Sequence, residues 1–417
     1  MIQLAVEENT ENLGARLKVI GIGGAGGNAV NSMINCGELD RVEFLVANTD
    51  AQALNMSLAN EKLQLGAKIT KGLGAGAKPE VGKRAAEEDL DAILEKISSA
   101  DILFLTAGLG GGTGSGALPV IAKSAKDMGI LTVAVVATPF NFEGNRRLLH
   151  AQEAIKNLKG AVDTLIIVPN QKLLETADPK ISMLNAFAMS DDVLKNAVKG
   201  ISDIITKSGH INVDFADVKE VMKDMGMAIM GIGRAEGENR AKDAVLKAIN
   251  SPLLEDMSIR GAKGVLINIT GNTDLGLQEI NEAATLIHDM VSPDAQIILG
   301  SVIDPTIGNE IMITVIATGF ENRKEDFIPA VKEDREEKRH IEFEQKTAEK
   351  NILNIDNIKI EDNIEDIDFK ITPSNISMQS FDLQDLDTPT FLRKKAEEDM
   401  YKKTQESNDS EDNQIVI

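Results

Sequence analysis

Gly108-Leu109-Gly110-Gly111-Gly112-Thr113-Gly114-Ser115-Gly116 packs six glycines into nine residues, directly after an apolar run at 102–106 and before a helix-like segment. A glycine loop between a strand and a helix offers bare backbone N–H groups and the positive end of a helix dipole, which suits anionic oxygens. The reading of this loop decides the fold because it is the second of its kind.

The first is Gly21-Ile22-Gly23-Gly24-Ala25-Gly26-Gly27-Asn28, which follows the apolar run 17–20. Alone, it satisfies the dinucleotide fingerprint through Gly21, Gly23 and Gly26, with Asp40, Glu43 or Asp50 as the ribose acid, and so suggests an NAD-dependent oxidoreductase. A dinucleotide fold needs one such loop. Two converging on a sheet edge can surround a triphosphate with backbone donors, and the Thr113 hydroxyl adds a ligand for phosphate or metal-bound water. A third segment, Gly72-Leu73-Gly74-Ala75-Gly76 followed by Pro79 and Gly82, supplies further amides or is simply a flexible loop. A Walker loop is absent: Gly82-Lys83-Arg84 fails at both the first Gly and the final Ser/Thr.

Working outward, short apolar runs at 17–20, 42–47, 102–106, 131–137 and 165–168 alternate with helical patterns, as in a mostly parallel sheet with crossover helices. Leu184, Phe187, Leu194, Ala197, Val198, Ile201 and Ile205 recur at spacings of three and four, marking one long amphipathic helix. Beyond it, helices at about 216–225, 241–249 and 276–290 and strands at 264–269, 296–302 and 310–317 predict a second, smaller α/β unit. Residues 321–350 are dense in mixed charge and 351–387 are polar without period, which reads as a disordered linker. The expected organisation is a flexible N-terminus (1–13), a nucleotide-binding domain (14–182), a central helix (183–207), a second domain (208–320), a linker (321–386), a short docking peptide (387–395) and a disordered tail (396–417).

The 417 residues carry a net charge of −22, which opposes the phosphate attraction that nucleic-acid binders use and disfavours a bare anionic membrane. Cys36 is the single cysteine, and His150, His210, His288 and His340 are scattered, so neither a disulfide nor a Cys/His metal site is expected. Residues 1–16 lack the basic start and apolar run of a signal peptide, and the apolar stretch 130–137 is far short of a membrane span. These features set the expectation of a soluble protein in a reducing cytoplasm.

Five motifs in order resemble the FtsZ family of tubulin-like GTPases: the loop at 21–28, Asn48-Thr49-Asp50, the loop at 108–116, Thr138-Pro139-Phe140-Asn141-Phe142-Glu143-Gly144, and Asn212-Val213-Asp214-Phe215-Ala216-Asp217. Residues 110–116 match the tubulin signature, and the resemblance spans 14 to about 320. Ala25, where many members have Gly, and Asn145, where some have Lys, are departures. The resemblance implies a tubulin-like fold that binds GTP, polymerises head to tail and releases GDP. It implies that Gly24, Ala25, Gly26, Gly27 and Asn28, with Gly111, Gly112, Thr113 and Gly114, hold the phosphates, and that Asn48, Gly74, Ala75 and Gly76 line the same pocket. Glu143 and Arg147 would lie by the ribose and phosphates, Asn170 and Asp192 at the guanine edge, and Phe187 on the base. A carboxylate suits guanine, whose adjacent N–H donors it can accept together. The plain alternative for Asp192 is a solvated helix residue.

Asp214 and Asp217 sit three apart, as in a capping box for the helix that follows. The resemblance implies in addition that Asn212, Asp214 and Asp217 enter the neighbouring subunit's pocket and complete the hydrolytic site in trans. It implies Mg2+ on the triphosphate, although the sequence offers no carboxylate cage for it, leaving phosphates and water as the main ligands. The tail peptide Asp387-Thr388-Pro389-Thr390-Phe391-Leu392-Arg393-Lys394-Lys395 resembles the family's docking motif for membrane-tethering adaptors of the FtsA and ZipA type, with Pro389, Phe391, Leu392 and Arg393 as contacts. A local collapse within disorder is its plain alternative. The implied role is a cytoplasmic scaffold at the mid-cell division ring, open to division regulators. A nucleotide-binding filament protein that hardly hydrolyses is the other alternative.

Overall fold

A computed structural model describes residues 14–320 except 40, 208, 210, 252 and 255–258. The expectations for 1–13, 321–386, 387–395 and 396–417 lie outside the described residues.

Six parallel strands build the first half: β1 (Leu17–Ile22), β2 (Val42–Asn48), β3 (Glu61–Gln64), β4 (Ile102–Gly108), β5 (Leu131–Thr138) and β6 (Thr164–Pro169). Four more follow: β7 (Gly226–Ala235), β8 (Gly264–Gly271), β9 (Gln296–Ile303) and β10 (Ile311–Thr318). All ten join in one sheet of order β3-β2-β1-β4-β5-β6-β7-β10-β8-β9. The seam between the halves is narrow, since β6 and β7 pair in parallel only from Thr164↔Gly226 to Ile166↔Ala228. β10 runs antiparallel to both β7 and β8.

The apolar runs read from sequence are these strands because a parallel strand covered by helices on both faces needs no polar side. All eight residues of β5 are buried. Sequence reading misses β7, whose Gly231 and Gly233 look like loop residues. A Cβ on Gly231 would stand 2.0 Å from the Ala248 carbonyl oxygen, and one on Gly233 1.9 Å from that of Ala244. Those glycines let a helix lie directly on the strand.

The helices are α1 (Gly23–Cys36), α2 (Ala51–Met56), α3 (Ala67–Thr70), α4 (Pro79–Glu88), α5 (Leu90–Ile97), α6 (Gly112–Asp127), α7 (Asn145–Leu158), α8 (Asn170–Thr176), α9 (Met183–Thr206), α10 (Phe215–Met222), α11 (Arg240–Ile249) and α12 (Leu277–His288). One aliphatic layer lies between the sheet and α1 and α9, through Val30, Met33, Leu194, Val198 and Ile201. A second lies under α4 to α7, through Ala85, Ile93, Leu118, Ile121 and Ile155. A third fills the second half around α11 and α12. Phe104 and Phe140 are buried aromatics in a core otherwise built from branched aliphatics, alanine and a few methionines.

At 1.5 Å per residue the 24 residues of α9 span about 36 Å. The helix starts just past the C-terminal end of β6. The chain after α10 returns at the N-terminal end of β6, where the Gly226 N–H donates to the Asp163 carbonyl at 2.8 Å. The segment α9–α10 therefore carries the chain from one edge of the sheet to the other.

Candidate functional site

β1 and β4 are neighbours, so the glycine loops that follow them stand side by side at the C-terminal edge. Their glycines divide by role. A Cβ on Gly26 would meet the Thr106 carbonyl oxygen at 2.5 Å, one on Gly114 that of Gly108 at 2.6 Å, and one on Gly112 both Ala75 Cβ and Lys78 N at 2.8 Å. These positions are glycine so that the loops can touch. Gly24 and Gly111 instead face open space, and Gly24, Ala25 and Asn28 are exposed. Gly27 is buried in ordinary contact with Val46. Neither α1 nor α6 has a side-chain cap or an acidic residue in its first turn. Two helix N-termini thus present free N–H groups and unneutralised dipoles to one spot, where an anion satisfies both.

The third glycine segment is pinned to this edge. The Thr49 and Thr113 hydroxyls share a buried hydrogen bond of 2.7 Å, the Gly74 N–H donates to the Thr49 carbonyl at 3.2 Å, and the Ala51 N–H donates to the Gly72 carbonyl at 3.1 Å. Gly74 and Gly76 hold φ of +86° and +57°, and Ala75 is buried against Gly112. Asn48 is buried and accepts the Asp50 N–H at 3.2 Å through Oδ1. The Thr113 hydroxyl is thereby partly committed to Thr49, retaining acceptor capacity for a further partner.

This arrangement removes two of the acids that a dinucleotide site would use. Glu43 is the second residue of β2, at the wrong end of the strand, and pairs with Lys18 at 2.8 Å. Asp50 caps α2 by accepting the Gln52 N–H at 2.8 Å.

Beyond the phosphate-sized edge lie the other predicted residues. Glu143 accepts the Phe140 N–H at 3.0 Å and pairs with Arg147, whose backbone crosses above Gly110. Asn170 opens α8; it is 5% exposed, and its Oδ1 has no partner in the protein. A buried carbonyl oxygen without a donor is costly, and a ligand N–H would satisfy it. The Phe187 ring meets Phe140 edge-on at 5.2 Å, and Phe142 stacks on Phe140 at 5.0 Å.

Asp192 is placed differently from the expectation. It faces outward, 56% exposed, with Lys195 Nζ at 2.8 Å, in the manner of the solvated helix residue. Asp191, one turn after Phe187 and so on its face of α9, is the half-buried carboxylate. Burial, assisted by the adjacent Asp192 charge, pushes it up to about 6. The sequence already sets Phe187 one helical turn before Asp191, and that spacing, rather than the resemblance that implied Asp192, is the signal for the half-buried carboxylate.

Asn212, Asp214 and Asp217 are exposed. Asn212 Oδ1 accepts the Gly209 N–H at 2.8 Å. Asp214 caps α10 by accepting the Ala216 N–H at 3.4 Å, a long bond, and Asp217 lies in the first turn. The loop is fastened to β9, where the Ile211 N–H donates to Ser301 Oγ at 2.9 Å and the Ser301 N–H to the Ile211 carbonyl at 3.1 Å. Since α9 has crossed the sheet, these three residues stand at the opposite edge from the glycine loops and do not join them within one chain. Among the described residues, no cluster of three or more His, Cys, Asp or Glu could hold a metal, and no helix is long and apolar enough to cross a membrane.

Residues 16–178 match the family model of the Tubulin/FtsZ family GTPase domain, and residues 226–321 that of the FtsZ family C-terminal domain. Among solved structures, the chain is similar to an empty FtsZ dimer from M. jannaschii, at 44% identity over 74% of this chain and 89% of that one, with a TM-score of 0.71. A tryptophan-to-tyrosine mutant of FtsZ from the same organism matches at 44% identity over 74% and 92%, with the same TM-score. CetZ2 from Haloferax volcanii, a GTPγS-bound protofilament, shares the fold at 21% identity over 74% and 94%, with a TM-score of 0.63.

Proposed function

The chain belongs to the FtsZ family of tubulin-like GTPases, and from that membership we propose that it polymerises head to tail and hydrolyses GTP at the joint between subunits. One observation carries the reading: an anion-ready pair of helix N-termini occupies one edge of the sheet, and exposed Asp214 and Asp217 occupy the other. Neither edge is a complete site, and only a second copy can bring them together. Such a heterologous contact does not close on itself and builds filaments. Leu73, Phe142, Met183 and Leu184, exposed around the nucleotide edge at 85%, 59%, 68% and 79%, supply apolar surface for that neighbour.

In this reading the amides that open α1 and α6 hold the phosphates, with Thr113 and Arg147 beside them. Asn170 Oδ1 and the Asp191 carboxylate accept from the guanine N–H groups, taking the place at the base edge expected of Asp192, and Phe187 lies on the ring. The neighbour's Asp214 and Asp217 orient and deprotonate the attacking water, steadied by Asn212. A magnesium ion carried on the nucleotide would offset phosphate charge. The described residues fit an ion carried on the nucleotide, with the Thr113 hydroxyl as the loop's contribution. A role as division scaffold, at a mid-cell ring and tethered through Pro389, Phe391, Leu392 and Arg393 to adaptors, follows from the family and belongs to the same proposal.

Phosphate release from GTP with magnesium, measured per protein molecule over a concentration series, tests it. Turnover near zero below a threshold and rising above it supports a shared site. Constant turnover places the whole site in one chain and returns Asp214 and Asp217 to helix capping. Filaments without turnover favour a nucleotide-binding filament protein instead.

A further inference from the structure

α10 has eight residues, and its two ends are treated differently. The N-terminal end, with Asp214 and Asp217, is open to solvent. The C-terminal end is gripped. The Thr164 hydroxyl donates to the Met222 carbonyl at 2.5 Å and the Thr318 hydroxyl to the Val221 carbonyl at 2.9 Å, both buried. The chain then turns at Asp224, whose φ is +56°. Its N–H donates to Asp163 Oδ1 at 3.3 Å, and its carboxylate meets Lys126 Nζ at 2.6 Å.

Lys126 is bound three ways: to Asp224, to Asp163 at 3.3 Å, and to the Val162 carbonyl at 3.0 Å. Asp163 is 3% exposed and also accepts the Thr132 N–H at 2.9 Å through Oδ2. A surface ion pair contributes little, but a cation shared with a buried carboxylate leaves that charge uncompensated when removed. Lys126 lies in the last turn of α6, whose first turn is the phosphate-facing Gly112-Thr113-Gly114. One helix therefore joins the two edges of the molecule.

We propose that Lys126, Asp163 and Asp224 are positioning residues that fix where Asp214 and Asp217 stand in the neighbour's pocket, through a clamp on the far end of α10. The clamp also makes α6 the link between a subunit's own phosphate loop and the carboxylates it lends. The inference rests on the reading that the Asp214 loop completes the site in trans.

Full-length K126Q, D224N, K126R and D214A test it, with GTP affinity, assembly threshold by sedimentation, and turnover per sedimented subunit measured separately. D224N keeps the backbone donor, and Asn tolerates a left-handed φ, so this variant folds even where K126Q fails to. A displacement of the carboxylates on the order of 1 Å is enough to cost roughly tenfold or more in turnover in K126Q and D224N, with affinity and threshold within about twofold of the parent. K126R, which keeps the cation, restores turnover. Parent-like turnover in D224N, with D214A inactive, overturns the clamp alone. Full turnover in D214A overturns the trans reading and the clamp with it. Equal losses of affinity, assembly and turnover, with no rescue by K126R, reduce the clamp to an ordinary fold contact.

Discussion

A half-buried carboxylate with no cation beside it is destabilising until a ligand supplies donors, and Asp191 is in that position. Its folded value of about 6 lies above the unfolded 3.8, so the native state binds the extra proton between those values and gains stability as pH falls through the window. The charged form at pH 7 costs about 2 kcal/mol after allowance for solvent. D191N is therefore expected to melt above the parent at pH 7 without nucleotide, the gap closing toward pH 4. The same substitution should weaken GTP binding by at least roughly tenfold, since an amide cannot accept from both guanine donors. In the parent, affinity should fall as pH drops below about 6. Thermal melts and nucleotide titrations at several pH values check all three, and a D191N protein that binds GTP normally removes Asp191 from the base edge.

Helix contacts separate glycines that pack from glycines that bind. A Cβ on Gly116 would stand 1.9 Å from the Pro79 carbonyl oxygen, forcing α4 off α6. G116A should lose about 3 kcal/mol or more in denaturant unfolding. G24A meets nothing within 4 Å and should keep or slightly gain stability while weakening nucleotide binding. At α10 the two acids part in the same way. D214A removes the cap, worth about 1 kcal/mol or less at its long distance, whereas D217A removes only a favourable dipole contact. Both should lose most turnover at unchanged GTP affinity. A D214A protein that melts lower yet turns over normally is merely missing a cap.

Across the whole molecule, the crossing of α9 puts pocket and carboxylates on opposite edges, and a mixing experiment reads this directly. D214A subunits keep an intact pocket; D191A subunits keep intact carboxylates. In a random one-to-one copolymer about a quarter of the joints pair the intact halves, so at GTP too dilute to fill the D191A pockets the mixture should regain turnover that neither variant shows alone. Turnover that stays absent in copolymers shown to form by co-sedimentation means that pocket and carboxylates serve within one chain.

The sequence determined whatever depends on local chemistry. Glycine loops after apolar runs are legible because most of their positions admit no Cβ where the loops and helices touch, and buried parallel strands are legible because water on neither face leaves them apolar throughout. The long helix showed in the spacing from Leu184 to Ile205. Three things needed the tertiary structure. β7 was hidden because Gly231 and Gly233 answer to α11, which lies elsewhere in the chain. The choice between Asp191 and Asp192 turned on helical phase and on which carboxylate loses its water, a matter of what packs nearby. The separation of Asp214 and Asp217 from Gly24 and Gly111 arose from the path of α9 across the sheet, which fixes a distance that no stretch of residues encodes by itself. That distance is what the proposed head-to-tail joint would close.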